Sequence, residues 1–375
     1  MNTKFPLGLL LLLLSAAAYS QPAYLERRLS VIPEVIPIDG KPTAYLEYYL
    51  TNIANDTLQL TGLELREYTT SNVVTTLDHP AIRSRTSTLI GTLIKSDQTL
   101  MAPHETKVLY LEFILETTEA KTFFTPTFAF DVLHDGKRKP QQADAHFYVE
   151  KKAPLTLGPP LREGNWVAVY DPSWVRGHRR VLFPGDIQMH LPGRYAIDFI
   201  RADDQGRFVE GNEDEIRNWY GYGADVLAVS DGTIVSVRNN FPESATLSGH
   251  TQPPPADATG NYIALGIGNE QVVFYEHLKP GSIRVTTGQQ VKKGDVIASL
   301  GFTGQSTGPH LHLHVADRNT PLQAEGIAFV FDHFTILGAY IDAAKLGKER
   351  WSPVKETNNV RTKERPAPNA VISFK

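Results

Sequence analysis

The stretch that most constrains the fold is a run of alternating histidines, Gly308-Pro309-His310-Leu311-His312-Leu313-His314-Val315. Side chains alternate between the two faces of a β-strand, so the three histidines share one face and the three aliphatic residues share the other. The aliphatic face can pack on a core, which leaves a row of imidazoles about 6.5–7 Å apart on the opposite face. One imidazole can then hold a metal while the next reaches a bound water or substrate. The alternative is a solvated polar face.

The composition restricts which metal site is possible. The 375 residues include no cysteine, which excludes disulfides and thiolate ligands. A transition-metal site must therefore use histidine and carboxylate ligands, a set that suits zinc. The net charge of -4 gives no electrostatic footprint for nucleic acid, so no nucleic-acid partner is expected.

Residues 1–20 have the features of a secretory signal peptide. Lys4 supplies the positive charge, Leu9 to Leu14 form the centre of the apolar segment, and Ala18-Tyr19-Ser20 is a small-x-small cleavage site. The apolar run is short for a bilayer span, and no cysteine follows it to carry a lipid. We therefore predict a periplasmic or secreted protein with no transmembrane segment after cleavage. An uncleaved membrane anchor is the alternative.

The rest of the chain predicts an all-β protein of two domains. Residues 21–150 contain short alternating segments, such as Tyr45–Leu50 and Val108–Phe113, separated by turn signals. This pattern is typical of an immunoglobulin-like β-sandwich. A Pro/Gly-rich linker is predicted at 151–164, a second β domain at 165–345 and a loose polar tail at 346–375.

Three further segments carry side chains suited to chemistry. Asp198 lies in a predicted strand between apolar neighbours, where a carboxylate is costly unless it is paired or bound to a cation. Phe274–Leu278 places Tyr275 and His277 on one face of another strand. The loop Gly304–Pro309 leads directly into the histidine strand.

These segments resemble a known family. The pattern G-x-S-T-x-P-H-x-H stands at Gly304–His312, Y-x-H-L stands at Tyr275–Leu278, and the hairpin-like V-K-K-G-D-V-I stands at Val291–Ile297. On these motifs, residues 166–334 resemble the lysostaphin/LytM-type zinc endopeptidases, which cleave peptide cross-links of peptidoglycan. The resemblance implies an antiparallel β domain of that type (the duplicated hybrid motif fold), a Zn²⁺ cofactor and peptidoglycan peptides as the substrate.

The resemblance also implies roles for particular residues. Asp198 and His312 match zinc ligands of the family. His277 and His310 match its two catalytic histidines, which are not ligands and which orient the attacking water and stabilise the oxyanion. A catalytic zinc site needs three protein ligands and an open position, so one ligand remains to be found.

The sequence departs from the family at that third ligand. Arg194 stands where the family has its first ligand histidine, and a guanidinium cannot bind zinc because it is never deprotonated. His178 and His190 are the candidates to replace it. A subgroup of the family shares the lead-in G-H-R-R followed by R-[FY]-A-I-D, and this similarity favours His178.

Two functions are compatible with these motifs. The first is an exported zinc endopeptidase that hydrolyses peptidoglycan peptides. The second is a degenerate, non-catalytic module that binds cell wall or activates other cell-wall hydrolases. Such modules typically lack several ligands at once, whereas Asp198, His277, His310 and His312 are all present here. The sequence therefore favours the enzyme.

Overall fold

The computed structural model of the protein describes residues 24–89, 97–116, 119–185, 188–355 and 358–374. The predicted signal peptide, residues 1–20, lies outside these ranges. Within them the secondary structure is almost entirely antiparallel β, with one short α-helix, α1 (His79–Ser84), and five 3₁₀ turns. No helix in the described ranges has the length and apolar character to cross a membrane. The predicted all-β fold class is confirmed.

The first part of the chain is a sandwich of two antiparallel sheets. Its strands are β1 (Leu25–Leu29), β2 (Val35–Ile38), β3 (Lys41–Asn52), β4 (Thr57–Glu67), β5 (Val73–Leu77), β6 (Thr86–Thr88), β7 (Leu100–Met101), β8 (Thr106–Ile114), β9 (Lys121–His134), β10 (Lys137–Asp144) and β11 (Phe147–Glu150). One sheet has the order β1-β3-β8-β6 with β2 beside β3; the other has the order β10-β9-β4-β5 with β11 on β9 and β7 on β4. Leu46 and Leu111 of the first sheet share a core with Leu60 and Phe128 of the second. The immunoglobulin-like connectivity stays a prediction.

Strand β3 is buried on both of its faces. Leu46 and Tyr48 face the sandwich core, whereas Tyr45 and Glu47 face the second part of the chain. Tyr45 stacks on Tyr195 of that part, with ring centroids 5.5 Å apart. The first sheet is therefore a middle layer, covered by its partner sheet on one side and by the C-terminal domain on the other.

The second part of the chain is organised around a twelve-stranded sheet. Its strands, with two short pairs beside it, are β12 (Leu155–Leu157), β13 (Asn165–Val169), β14 (Phe183–Pro184), β15 (Met189–His190), β16 (Ile197–Ala202), β17 (Asp225–Leu227), β18 (Gly232–Arg238), β19 (Tyr262–Gly266), β20 (Val272–Glu276), β21 (Gln290–Val291), β22 (Val296–Ser299), β23 (Leu311–Ala316), β24 (Phe329–Ala339), β25 (Ser352–Pro353), β26 (Val360–Glu364) and β27 (Ala370–Ser373). The sheet order is β12-β24-β27-β13-β16-β23-β20-β19-β18-β21, with β25 and β26 on β24. The separate pairs are β14-β15 and β17-β22. The 3₁₀ turns are η1 (His178–Arg180), η2 (Pro192–Tyr195), η3 (Ile216–Asn218), η4 (Pro255–Asp257) and η5 (Ala343–Lys345).

The histidine strand β23 lies between β16 and β20, and it is buried on both faces. Leu311 and Leu313 lie in the main core. Across the sheet, His312 is opposite Asp198 of β16 on one side and opposite Glu276 of β20 on the other. Direct cross-strand neighbours lie about 4.5–5.5 Å apart, so the register alone brings these three side chains into one row.

Three local expectations are not met. The linker at 151–164 contains β12, which pairs with β24, and Leu157 is fully buried. The tail at 346–375 is not loose: β27 lies between β13 and β24 because its apolar side chains, such as Val371 and Ile372, complete the sheet. The segment Val291–Ile297 is not a self-paired hairpin, since β21 pairs with β18 and β22 with β17. The division into domains otherwise stays a prediction.

Candidate metal centre

Three side chains from distant parts of the chain converge at Asp198. Its Oδ1 lies 2.8 Å from Nδ1 of His312, and its Oδ2 lies 3.2 Å from Nε2 of His178. One potential ligand atom from each residue lies within 4.8 Å of the others. Ligands held about 2.0–2.2 Å from zinc in a tetrahedron are separated by distances of this size. The residues present therefore fit a divalent metal of the zinc type.

His178 reaches Asp198 because η1 packs closely on η2. A Cβ added at Gly193 would lie 2.8 Å from Cβ of His178, so only glycine permits this approach without a shift. The side chain of His178 is about one-third exposed, which keeps this side of the cluster open. The sequence-predicted ligands His178, Asp198 and His312 therefore lie together, and their role as ligands stays a prediction.

The other two candidates for the third ligand lie elsewhere. The buried side chain of His190 donates from Nδ1 to Glu325 over 3.2 Å. Arg194 turns away from Asp198: its Nε donates to Glu47 over 2.8 Å and its Nη2 donates to Glu325 over 2.9 Å. The guanidinium at the usual ligand position is thus part of a buried ion-pair network.

The two predicted catalytic histidines flank this cluster. His277 donates from Nδ1 to the carbonyl oxygen of Thr303 over 2.8 Å, which leaves Nε2 as an acceptor. His310 donates from Nδ1 to the carbonyl oxygen of Gly308 over 2.8 Å, and its Nε2 lies 3.4 Å from Oδ1 of Asp198. The two ring centroids are 4.6 Å apart.

The surroundings give these groups different charge states. Burial opposes the charged form of Asp198, but His178 and His310 outweigh it and hold the carboxyl pKa well below its usual range. Burial, with His310 and His312 nearby, lowers the pKa of His277 well below its ordinary value, and burial also lowers the pKa of His312. Although burial opposes it, the Asp198 carboxylate raises the pKa of His310. An ionised carboxylate and a neutral His312 are the protonation states that metal binding requires.

His314 and Glu276 extend the cluster into the protein. Nδ1 of His314 lies 3.2 Å from Nε2 of His312 and 3.7 Å from a carboxylate oxygen of Glu276. The two residues form a second possible ligand group with His312, but their side chains are much less exposed than that of His178, and burial raises the pKa of Glu276 well above its usual range. The open group at Asp198 therefore suits a catalytic metal better. His314 is 2% exposed, so the histidine face is not the solvated one that was the alternative.

The prediction that Tyr275 and His277 lie on one face of β20 was wrong. The strand ends at Glu276, and His277 adopts a positive φ of 62°, so the alternation stops between them. Tyr275 lies in the core, while Glu276 and His277 both line the cleft at the cluster. A charged residue directly after the apolar run Val272–Tyr275 was the signal that could have identified Glu276.

A cleft runs over the cluster. His178, His277 and His312 all open into it, and Phe183 and Leu322 contribute apolar walls. A His-Asp-His cluster, two further histidines and an open cleft fit the kind of metal centre that hydrolases use.

Comparison with known proteins relates part of the chain to a known family. Residues 219–324, less than a third of the chain, match the family model described as Peptidase family M23. The predicted lysostaphin/LytM-type resemblance is confirmed. Glu276, His277, His310, His312 and His314 lie within the matched range, whereas His178 and Asp198 precede it.

Several known proteins are similar over part of the chain. "Peptidoglycan DD-endopeptidase ShyB" of Vibrio cholerae is 37% identical over 102 residues, which is 27% of this chain and 20% of that protein. An "Uncharacterized metalloprotease" of Haemophilus influenzae is 38% identical over 90 residues, 24% of this chain and 15% of that protein. The matches to these curated relatives thus span about a fifth of their length or less.

Among solved structures, the catalytic domain of lysostaphin from Staphylococcus simulans shares 23% identity, with 44% of this chain and 88% of that chain covered and a TM-score of 0.23. A zinc-containing peptidase from Vibrio cholerae shares 15% identity, with 80% and 85% covered and a TM-score of 0.23.

Proposed function

We propose that the protein is an exported zinc endopeptidase that hydrolyses peptide cross-links of peptidoglycan. The observation that carries this proposal is the convergence of His178 and His312 on Asp198, with His277 and His310 beside them. The family match and the relatives named as peptidoglycan endopeptidases support the reaction and substrate class. The signal-like residues 1–20 support export to the compartment where peptidoglycan lies.

Each residue of the cluster has a separate role in this proposal. His178, Asp198 and His312 would hold the zinc, whose Lewis-acid chemistry makes water nucleophilic at neutral pH. His277 is neutral with Nε2 free, so it accepts a proton from the attacking water. His310, with its raised pKa, donates hydrogen bonds and stabilises negative charge that develops on the peptide oxygen. The environments of two neighbouring histidines thus separate a base from a donor.

Zinc content and cell-wall digestion test this proposal together. Purified protein supplied with zinc is expected to carry one zinc per chain by atomic absorption and to release peptide-cleaved fragments from purified sacculi, identified by mass analysis. His312→Ala and His178→Ala should lose both properties, because two protein ligands hold zinc far more weakly than three. His190→Ala is the matched control and should keep its zinc, since His190 hydrogen-bonds Glu325 instead. Wild type that carries no zinc and releases no fragments would favour the non-catalytic module.

A further inference from the structure

The contact between the two parts of the chain is built around one buried carboxylate. Glu47 of β3 is 1% exposed and points out of the sandwich toward the C-terminal domain. Its Oε1 accepts from Nε of Arg179 over 2.8 Å, and its Oε2 accepts from Nε of Arg194 over 2.8 Å. Both arginines are themselves only 3% exposed. A buried charge of this kind persists only where it is fully paired, so the three groups depend on one another.

Most of the contacts of Arg179 are with the sandwich. Its Nη2 donates to the carbonyl oxygens of Leu46 and Leu111, each over 2.9 Å, and its Nη1 donates to Glu112 over 3.1 Å. Its guanidinium also lies 4.8 Å from the ring centroid of Tyr45. All of these partners belong to β3 and β8, and one further bond, from Nη1 to the carbonyl oxygen of Pro172 over 3.4 Å, stays within the C-terminal domain. The N-terminal sandwich therefore supplies most of the socket that holds this side chain.

The two chain neighbours of Arg179 connect the socket to the metal cluster. Arg180 lies 4.1 Å from the ring centroid of Tyr110, also on β8. On the other side of Arg179 is His178, which reaches Asp198. Among the described residues, the backbone hydrogen bonds of η1 are local ones, from Arg180 to Gly177 and from Val181 to His178. A three-residue turn of this kind is not stable by itself.

We infer that the N-terminal sandwich completes the metal site: Glu47 is a positioning residue that, through Arg179, holds His178 beside Asp198. The inference rests on the proposed function, since it takes His178 as a metal ligand. Arg194 fits the same scheme, because the residue at the usual ligand position instead binds Glu47 and helps to fix the carboxylate that fixes Arg179. The sandwich is then a structural part of the centre, and the third ligand is delivered across the contact between domains.

The test uses the full-length protein and two readouts. The first is hydrogen exchange of the backbone amides at 173–182, which reports how firmly η1 is held whether or not metal is present. The second is zinc affinity, measured by competition with a chromogenic chelator, together with the visible spectrum of the Co²⁺-loaded protein. In Glu47→Gln and in Arg179→Leu we expect faster exchange at 173–182 and a zinc affinity that falls about 10- to 100-fold. The Co²⁺ spectrum should shift toward that of His178→Ala.

Coupling and a matched control separate positioning from a general loss of stability. The double variant Glu47→Gln/Arg179→Leu should bind zinc no more weakly than Arg179→Leu, because each single change already removes the same interaction, the ion pair between Glu47 and Arg179. Lys107→Met removes a different ion pair of β8, between the buried Lys107 and the half-buried Glu105 at 2.7 Å, which does not involve Arg179. It should leave exchange at 173–182 and zinc affinity unchanged. If the other variants do not fold, Arg179→Lys replaces them in the same test. It should have the same effects, since an ammonium cannot bind both carboxylates and both carbonyls at once.

The outcomes distinguish this inference from the proposed function. Faster exchange at 173–182 with weakened zinc binding supports the inference. Wild-type exchange and wild-type zinc affinity in folded Glu47→Gln, beside a weakened His178→Ala, would overturn the inference and leave the enzyme intact. If wild type bound no zinc, the proposed function would fail, and exchange at 173–182 would still decide whether Glu47 positions His178.

Discussion

At the scale of single residues, we expect His312 to bind the metal and His310 to act in catalysis. His312 and His310 are two positions apart on one face, yet His312 lies 2.8 Å from Asp198 through Nδ1, whereas His310 uses Nδ1 for the carbonyl of Gly308. We predict that His310→Ala keeps one zinc per chain and loses about 100- to 1,000-fold in turnover, as expected for removal of one donor to developing charge. Zinc content by atomic absorption and fragment release from sacculi measure the two effects. His312→Ala is the matched comparison, and zinc loss in His310→Ala would mean that the two roles are exchanged.

Most of the clustered side chains could be predicted because their motifs are local. His277, His310 and His312 stand in short patterns, and alternation along β23 places His312 and His314 on one face. Asp198 was identified by its apolar neighbours. The partner of Arg194 could not be predicted, because Glu47 lies 147 positions away and only the docking of the two domains joins them.

At the scale of elements, the approach of η1 to η2 decides where His178 lies. Gly193 allows the contact, since an added Cβ would meet both Cβ and the carbonyl oxygen of His178 at 2.8 Å. We predict that Gly193→Ala displaces His178 and weakens zinc binding about 10- to 100-fold while the protein stays folded. The control is Gly177→Ala, where φ is extended and the nearest atom, Cβ of Trp174, lies 3.4 Å away. Chelator competition measures both variants; equal affinities would show that close packing on η2 does not place His178.

Element prediction failed where pairing is long-range. The polar residues and prolines near the C-terminus indicated a loose tail, yet β27 fills a place between β13 and β24. Its apolar residues, Ala370, Val371 and Ile372, are few, and they are buried only because β13 and β24, which are distant in sequence, leave room for a strand between them. A local pattern shows that a segment can be a strand, but its partner is set by the whole sheet.

At the scale of the whole molecule, the two domains share one buried charge network. Glu47, Arg179 and Arg194 lie between the sandwich and the large sheet, with apolar contacts such as Tyr45 on Tyr195 beside them. Such a network adds little net stability relative to apolar packing, but loss of one member leaves buried charges unpaired and costs about 3–5 kcal/mol. The network therefore fixes how the domains dock, and stability should depend on its charge state.

That dependence gives a prediction with a defined pH range. Burial opposes ionisation of Glu47, but Arg194 and Arg179 outweigh it and lower its pKa from 4.5 to about 2. A folded-state pKa below the unfolded value contributes stability above pH 4.5 or so, and that contribution is lost as the pH falls toward 2. We predict that the difference in free energy of unfolding between wild type and Glu47→Gln shrinks by about 3 kcal/mol between pH 6 and pH 2, since glutamine does not titrate. Urea denaturation at each pH measures the difference. Glu150→Gln, which removes an exposed pair with Lys152, is the control and should show only a small difference that high salt removes. A wild-type advantage over Glu47→Gln that stays constant down to pH 2 would show that this carboxylate does not carry the acid sensitivity of the domain contact.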